Sequence, residues 1–286
     1  MQRILVQFDT DAHPSSFDRV VAVDAGVDHL FSYGGVRTAD AVPLVHGAIF
    51  TRGPQDLKHT AIFIGGSNVA AGEELLNCVR SAFFGPLRVS VMMDSNGSNT
   101  TAAAAVLCAR KHLPLAGASA LVLGGTGPVG RRVAQLLAAE KAEVCVASRA
   151  LEKADEVCRA VVEAVPGARL RSLAPKPGAA LAEAVAGANL VVAAGAAGVE
   201  LLPAEMWRAC DRLRVAIDLN AVPPAGIGGI SATDKAAARD GAVCYGAIGV
   251  GGLKMKIHKA ALSRLFESND QVFDTAAIYR IGESLI

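Results

Sequence analysis

Residues 119–142 read SALVLGGTGPVGRRVAQLLAAEKA. The first five are an unbroken run of small, branched and leucine side chains, as expected of a strand buried on both faces. Two glycines end it. From Arg131 the apolar residues Val133, Leu136 and Leu137 return at helical spacing, and EVCVASR (143–149) is a second apolar strand. Strand, glycine turn, helix and strand in this order predict a βαβ unit and hence a parallel sheet covered by helices. At the passage from strand to helix, Gly125, Thr126, Gly127, Pro128, Val129 and Gly130 fit G-x-G-x-x-G. Small residues there let the backbone approach a pyrophosphate, whose charge meets unpaired amides and the positive end of the helix. These six residues are predicted to bind a dinucleotide.

Working outward, the second strand ends in Ser148 and Arg149, about 20 residues after the glycines, where an NAD site usually has a carboxylate for the ribose 2′-hydroxyl. A hydroxyl and a guanidinium suit a 2′-phosphate, so NADP is the expected cofactor, with Lys153 adding charge one turn later. LVVAAGAAG (190–198) reads as a further strand and turn whose small residues, Ala194 and Gly195, allow close approach to the cofactor. RVAIDLN (214–220) is another strand; Asn220 and Ala221 follow it and are candidates for the nicotinamide end, the alternative being a plain turn before two prolines.

The N-terminal part repeats the alternation. RILVQF is a strand, FDRVVAVDAG a helix capped by Ser15 or Ser16, TAIFIGG a buried strand, SNVAAGEELLNCVRSAF a helix capped near Ser67, and LRVSVMMD a strand. DSNGSNTT (94–101) follows at a carboxyl strand end, where open α/β sheets bind ligands, and leads into a connector helix expected over 100–112 with Ser98 or Asn99 as cap. YGAIGVGG (245–252) reads as a glycine-rich loop before a last helical region starting at Leu253, which puts Lys254, Lys256, His258 and Lys259 in its first two turns. Lys254 and Lys256 are about 200° apart on a helix; Lys254 shares a face with His258 and is the one chosen to face a site. The expected fold is α/β with two domains and a cleft between them. Residues 1–112 form an N-terminal catalytic domain, 113–252 a Rossmann-type parallel-sheet NADP-binding domain, and 253–286 helices that return to the N-terminal domain.

Composition narrows the function class. With 286 residues, 52% hydrophobic and 19% charged, the chain can bury two sizeable cores. A net charge of +1 gives no reason to expect nucleic acid or an anionic membrane surface. Cys78, Cys108, Cys145, Cys158, Cys210 and Cys244 are scattered without C-x-x-C or zinc spacing, which predicts reduced thiols and no metal. The opening MQRILVQFDTDAH is too acidic for a signal peptide, and 184–199 is shorter than the ~20 residues of a membrane span, so a cytoplasmic protein is expected. No Ser/His/Asp order or close carboxylate pair stands out, and hydride transfer requires neither, since the cofactor supplies the chemistry.

QFDTDAHPSSFD, IFTRG, TAIFIGG, FFGP, MDSNGSNTTAAA, GGTGPVG, DLNAVPPAGIGGI, GAIGVGGLKMKIH and LFES together span nearly the whole chain. In these segments the sequence resembles the bacterial NADP-dependent methylene-tetrahydromethanopterin dehydrogenases, including those that accept methylene-tetrahydrofolate. The resemblance implies reversible hydride transfer from the methylene bridge of the pterin to NADP, leaving a methenyl cation, in cytoplasmic one-carbon metabolism of methylotrophs (formaldehyde oxidation). It implies a homo-oligomer with tetrahydromethanopterin or tetrahydrofolate as the one-carbon carrier, bound between the two domains. It places the catalytically important lysine of GGLKxK on Lys254 and substrate-cleft residues on Asp18, Asp94, Thr100 and Thr101. Around SRALEKADE family members vary, which leaves cofactor preference open there. The product is a cation, so a carboxylate, Asp18 or Asp94, is useful near it, while Lys254 is expected to hold a carbonyl or the reduced pterin away from the reacting carbon. Two other readings compete. A shikimate- or quinate-type NADP dehydrogenase would need a Lys/Asp pair in the N-terminal domain, yet Lys58 is the one lysine in the first 95 residues. A non-catalytic NADP-binding regulator would bind NADP without turning over a pterin.

Overall fold

In the computed structural model the described residues are 1–175 and 178–286. Along the chain run β1 (Ile4–Asp9), α1 (Ser16–Asp24), β2 (His29–Tyr33), α2 (Thr38–Ile49), β3 (Thr60–Gly65), α3 (Val69–Ser81), β4 (Ser90–Met93) and α4 (Ser98–Arg110). There follow β5 (Ser119–Leu123), α5 (Pro128–Ala139), β6 (Glu143–Ala147), α6 (Leu151–Ala164), β7 (Arg169–Leu173), α7 (Ala179–Ala186), β8 (Leu190–Ala193), α8 (Ala204–Arg208) and β9 (Val215–Asp218). The chain ends with β10 (Ala237–Arg239), β11 (Ala242–Tyr245), α9 (Ala247–Arg264), β12 (Val272–Phe273) and α10 (Thr275–Glu283). These elements form two compact units. The first is Met1–Thr100 with Met255–Ile286; the second is Thr101–Lys254.

The first unit is built on a five-stranded sheet in the order β12-β4-β3-β1-β2, parallel throughout. Every residue of β3 and β4 is buried, which explains why these strands read as unbroken apolar runs and not as alternating ones. Phe8, Ile62, Ile64 and Met93 pack against Val45, Ile49, Leu75 and Val79 of α2 and α3 in one core, each fully buried side chain adding roughly 1.5–3 kcal/mol. The two residues of β12 were not legible as a strand. They join the sheet beside β4, so the chain closes this unit with its own last segment. Ser15 caps α1, its side chain accepting from the Asp18 amide. α3 is capped by Asn68 instead of Ser67, because the Ser67 amide and hydroxyl are both turned to the Asp11 carboxylate, at 2.9 and 2.8 Å.

The second unit has seven strands in the order β10-β11-β9-β8-β5-β6-β7. Counted from β5, the parallel set runs third, second, first, fourth, fifth, sixth across the sheet, the doubly wound dinucleotide-binding order, with its switch point between β5 and β8. Among the described strands only β10 is antiparallel to its neighbour, added as a hairpin on β11. Leu121, Val191, Ala216, Val185 and Trp207 lie at the centre of the core on one face.

Residues 247–252 do not form the expected loop. α9 begins at Ala247, so Lys254 lies in the third turn of the helix and its charge does not oppose the helix N-terminus. The glycines serve close packing instead of flexibility. A methyl group on Gly246 would overlap the Ser231 carbonyl, and one on Gly249 the Asp234 carbonyl, because the helix start rests on the backbone of residues 231–235. The same contact meets helix-end amides, with the Gly246 and Ile248 N–H groups donating to the carbonyls of Asp234 and Ala232, each at 2.8 Å.

Candidate functional site

In the second unit the turn after β5 is shaped by backbone contact. Gly124 has φ +67°, and a Cβ there would lie 2.6 Å from the Cα of Gly195. A Cβ on Gly130 would lie 2.6 Å from the Gly124 carbonyl oxygen and 2.8 Å from the Gly125 Cα. The loops after β5 and β8 therefore touch backbone to backbone at the switch point, where Ala194 and Gly195 stand beside the glycine turn. Gly127 precedes α5 and Pro128 opens it, so the first turn presents amides without intrahelical partners to the carboxyl edge of the sheet. This is the cradle a pyrophosphate needs.

The end of β6 meets that turn. The Ser148 and Thr126 hydroxyls are 3.2 Å apart, and the Ala150 amide donates to Ser148 Oγ at 3.4 Å. Arg149 and Lys153 are exposed, the latter in the first turn of α6. The structure thus brings the Thr126 and Ser148 hydroxyls together, with Arg149 next in the chain and exposed. Asn220 is used differently. Its Nδ2 donates to the Pro224 carbonyl at 2.9 Å and its Oδ1 accepts from the Val222 amide at 3.0 Å, so the side chain closes the turn after β9 and leaves Ala221 and Val222 exposed. The Asp218 carboxylate below it accepts from the Asn220 and Ile227 amides at 3.0 and 3.1 Å, yet burial pushes its pKa upward. At the opposite, amino edge of the sheet, a cavity of about 430 Å³ is lined by Leu121, Cys145 and Arg171 among others, away from the glycine turn.

The carboxyl edge of the first unit is acidic and tightly bonded. Asp94 is buried and its Oδ1 accepts from the Asn99 and Thr100 amides at 2.8 and 3.1 Å, while Oδ2 accepts from the Thr100 hydroxyl at 2.6 Å. Asp94, and not Ser98 or Asn99, therefore caps α4, which starts at Ser98 and not near Thr100. The Ser98 hydroxyl instead donates to the Ser95 carbonyl, and the Asn99 amide group donates to the Met93 carbonyl. Thr100 is fully buried against Asp94; Thr101, the first residue assigned to the second unit, is half-buried. Asp18 lies in the first turn of α1 with its carboxylate facing Gly65, as does that of buried Asp9, which accepts from the Asp11 and Ser15 amides. The His258 ring, fully buried, has its Nε2 4.0 Å from Asp18 Oδ1. Asp9 and His258 were not singled out as site residues from sequence, although Asp9 ends β1 in FDTD and His258 follows Lys254 by one helical turn. Among the described residues no cluster of three His, Cys, Asp or Glu is arranged to hold a metal ion, and no helix is long and apolar enough to cross a membrane.

The family described as methylene-tetrahydromethanopterin dehydrogenase, N-terminal, matches residues 16–96. The chain is 46% identical over 286 residues to the bifunctional protein MdtA of Methylorubrum extorquens, covering 99% of each. It is 34% identical over 266 residues to the NAD(P)-dependent methylenetetrahydromethanopterin dehydrogenase of the same organism, covering 90% of each. The chain belongs to the methylene-tetrahydromethanopterin dehydrogenase family. Its fold is shared more widely: a 5-ketofructose reductase from Gluconobacter sp. strain CHM43 superimposes with a TM-score of 0.56 at 14% identity, over 100% of this chain and 99% of the other. The doubly wound order of the second unit is read from this chain's own strands.

Proposed function

We propose that the protein is an NADP-dependent methylene-tetrahydromethanopterin dehydrogenase that passes a hydride reversibly from the methylene bridge of the pterin, or of methylene-tetrahydrofolate, to the nicotinamide. The observation that carries this reading is the 46% identity extending over 99% of the chain, with a G-x-G-x-x-G turn standing at the switch point of the sheet. When bound, NADP supplies the hydride acceptor. Gly125, Thr126, Gly127, Pro128, Val129 and Gly130 form the turn that receives its pyrophosphate, with the Thr126, Val129 and Gly130 amides as donors, Ser148, Arg149 and Lys153 hold the 2′-phosphate, and Ala194, Gly195 and Ala221 line it with little bulk.

On the pterin side, Asp18 is the carboxylate best suited to the methenyl cation. Asp94 and Thr100 are bonded to one another and hold the start of α4, so they support the substrate site as structure, next to Thr101. Lys254 holds a carbonyl or the reduced pterin by hydrogen bonds, offset from the imidazoline ring. The adjacent nitrogen lone pairs expel the hydride, so none of these residues has to remove a proton in that step. We extend the reading to a cytoplasmic homo-oligomer in the one-carbon metabolism of formaldehyde oxidation. Substrate deuterated at the methylene carbon is expected to give deuterium in the reduced nicotinamide; deuterium released to water instead would overturn direct hydride transfer.

A further inference from the structure

His258 has no part in the reading above, yet it is among the most enclosed titratable groups of the first unit. Its ring has two aromatic neighbours: Phe63 of β3, nearly parallel at 27° with centroids 5.8 Å apart, and Phe17 of α1, at 38° and 6.3 Å. Phe17 and Asp18 are consecutive, so a single dipeptide on α1 supplies one wall of the imidazole's pocket and the carboxylate that faces its edge. The Nε2 to Oδ1 distance of 4.0 Å is beyond a hydrogen bond but leaves the carboxylate the near neighbour of that ring nitrogen. A second tie joins the same two helices, the Lys259 ammonium donating to Asp24 Oδ2 at 2.6 Å. Packing against Phe17 and Phe63 would be served as well by a hydrocarbon ring, and burying two ring nitrogens is costly in comparison. The imidazole therefore calls for a polar purpose, and one polar side chain at its edge is Asp18.

We propose that His258 is a positioning residue for the substrate carboxylate: with its proton on Nε2 it presents an N–H to Asp18 and fixes the direction in which that carboxylate points. The inference rests on the reading of Asp18 as the group that faces the pterin cation. It also gives α9 a second purpose. Lys254 and His258 are one turn apart on the same face of one helix, so the element that carries the lysine also sets the carboxylate.

The test uses the full-length protein and three variants. His258→Phe keeps the aromatic stack and removes both nitrogens, Asp18→Asn removes the charge, and the double variant combines them; His258→Asn replaces the Phe variant if thermal unfolding shows that the latter does not fold. His258→Phe is expected to lower kcat for methylene-pterin oxidation roughly ten- to hundredfold with KM for NADP unchanged, and the double variant to be no slower than Asp18→Asn alone. Losses that multiply in the double variant, or full activity in a folded His258 variant, would overturn the proposal. Nitrogen NMR of the imidazole adds an arm that needs no turnover. The Nε2–H tautomer with a resonance that moves in Asp18→Asn is the expected result, and an Nδ1–H tautomer insensitive to Asp18 overturns the inference. Absence of wild-type turnover with this NMR result would instead sink the functional reading alone.

Discussion

The carboxyl edges of the two sheets solve different problems with different materials. In the second unit the edge is made of glycine and alanine, and its geometry is set by backbone approaching backbone at Gly124, Gly130 and Gly195. In the first unit the edge carries the carboxylates of Asp9, Asp18 and Asp94, and those of Asp9 and Asp94 are bonded to amides and a hydroxyl of their own loops. An edge of bare amides favours an anion such as a pyrophosphate, while an edge of carboxylates favours a cation such as the methenyl product. The difference teaches that one chain can repeat the same strand-to-helix turn with opposite chemistry at its end.

The comparison can be broken or sharpened by substitution. The largest expected effect is at Lys254: Lys254→Ala should lower methylene-pterin turnover by about a hundredfold or more in steady-state assays, with NADP affinity retained. Asp94→Ala should lower stability by about 2 kcal/mol in denaturant unfolding, since it removes the acceptor of two amides and a hydroxyl at the start of α4. Arg149→Ala should weaken NADP about tenfold by calorimetry and leave NAD binding unchanged; equal losses for the two would remove Arg149 from the 2′-phosphate site. Lys259→Ala, which breaks the exposed pair with Asp24, should alter stability by less than ~1 kcal/mol and leave turnover as it is.

How far each edge could be read from sequence follows from the same contrast. The glycine turn was legible because its signal is local: six consecutive residues between a strand and a helix fix where the backbone must come close. The role of Asp94 was not, because its acceptors are used by Asn99 and Thr100, five and six residues on, across a turn in which Asn96 has φ +56°. Polar residues in such a loop look alike whether they cap a helix or meet a ligand, and only the hydrogen bonds separate the two. Residues 245–252 misled in the opposite direction. Their glycines suggest a loop, yet Gly246 and Gly249 are small because the start of α9 presses on residues 231–235, a contact between segments that no short window contains. The short strands β10, β11 and β12, of two to four residues, have too little pattern to show a period. The relation between Lys254 and His258 does not depend on that start, since the two share a helix face wherever the helix begins.

The central claim is hydride transfer from a methylene-pterin to NADP, and it is tested most directly by assaying the purified protein with methylene-tetrahydromethanopterin and methylene-tetrahydrofolate, each with NADP and with NAD. Reduced nicotinamide and the methenyl product should appear together, in equal amounts, with at least one of the two carriers and with NADP preferred over NAD. Binding of NADP with no turnover in any of the four combinations would contradict the account and leave the protein a nucleotide-binding regulator.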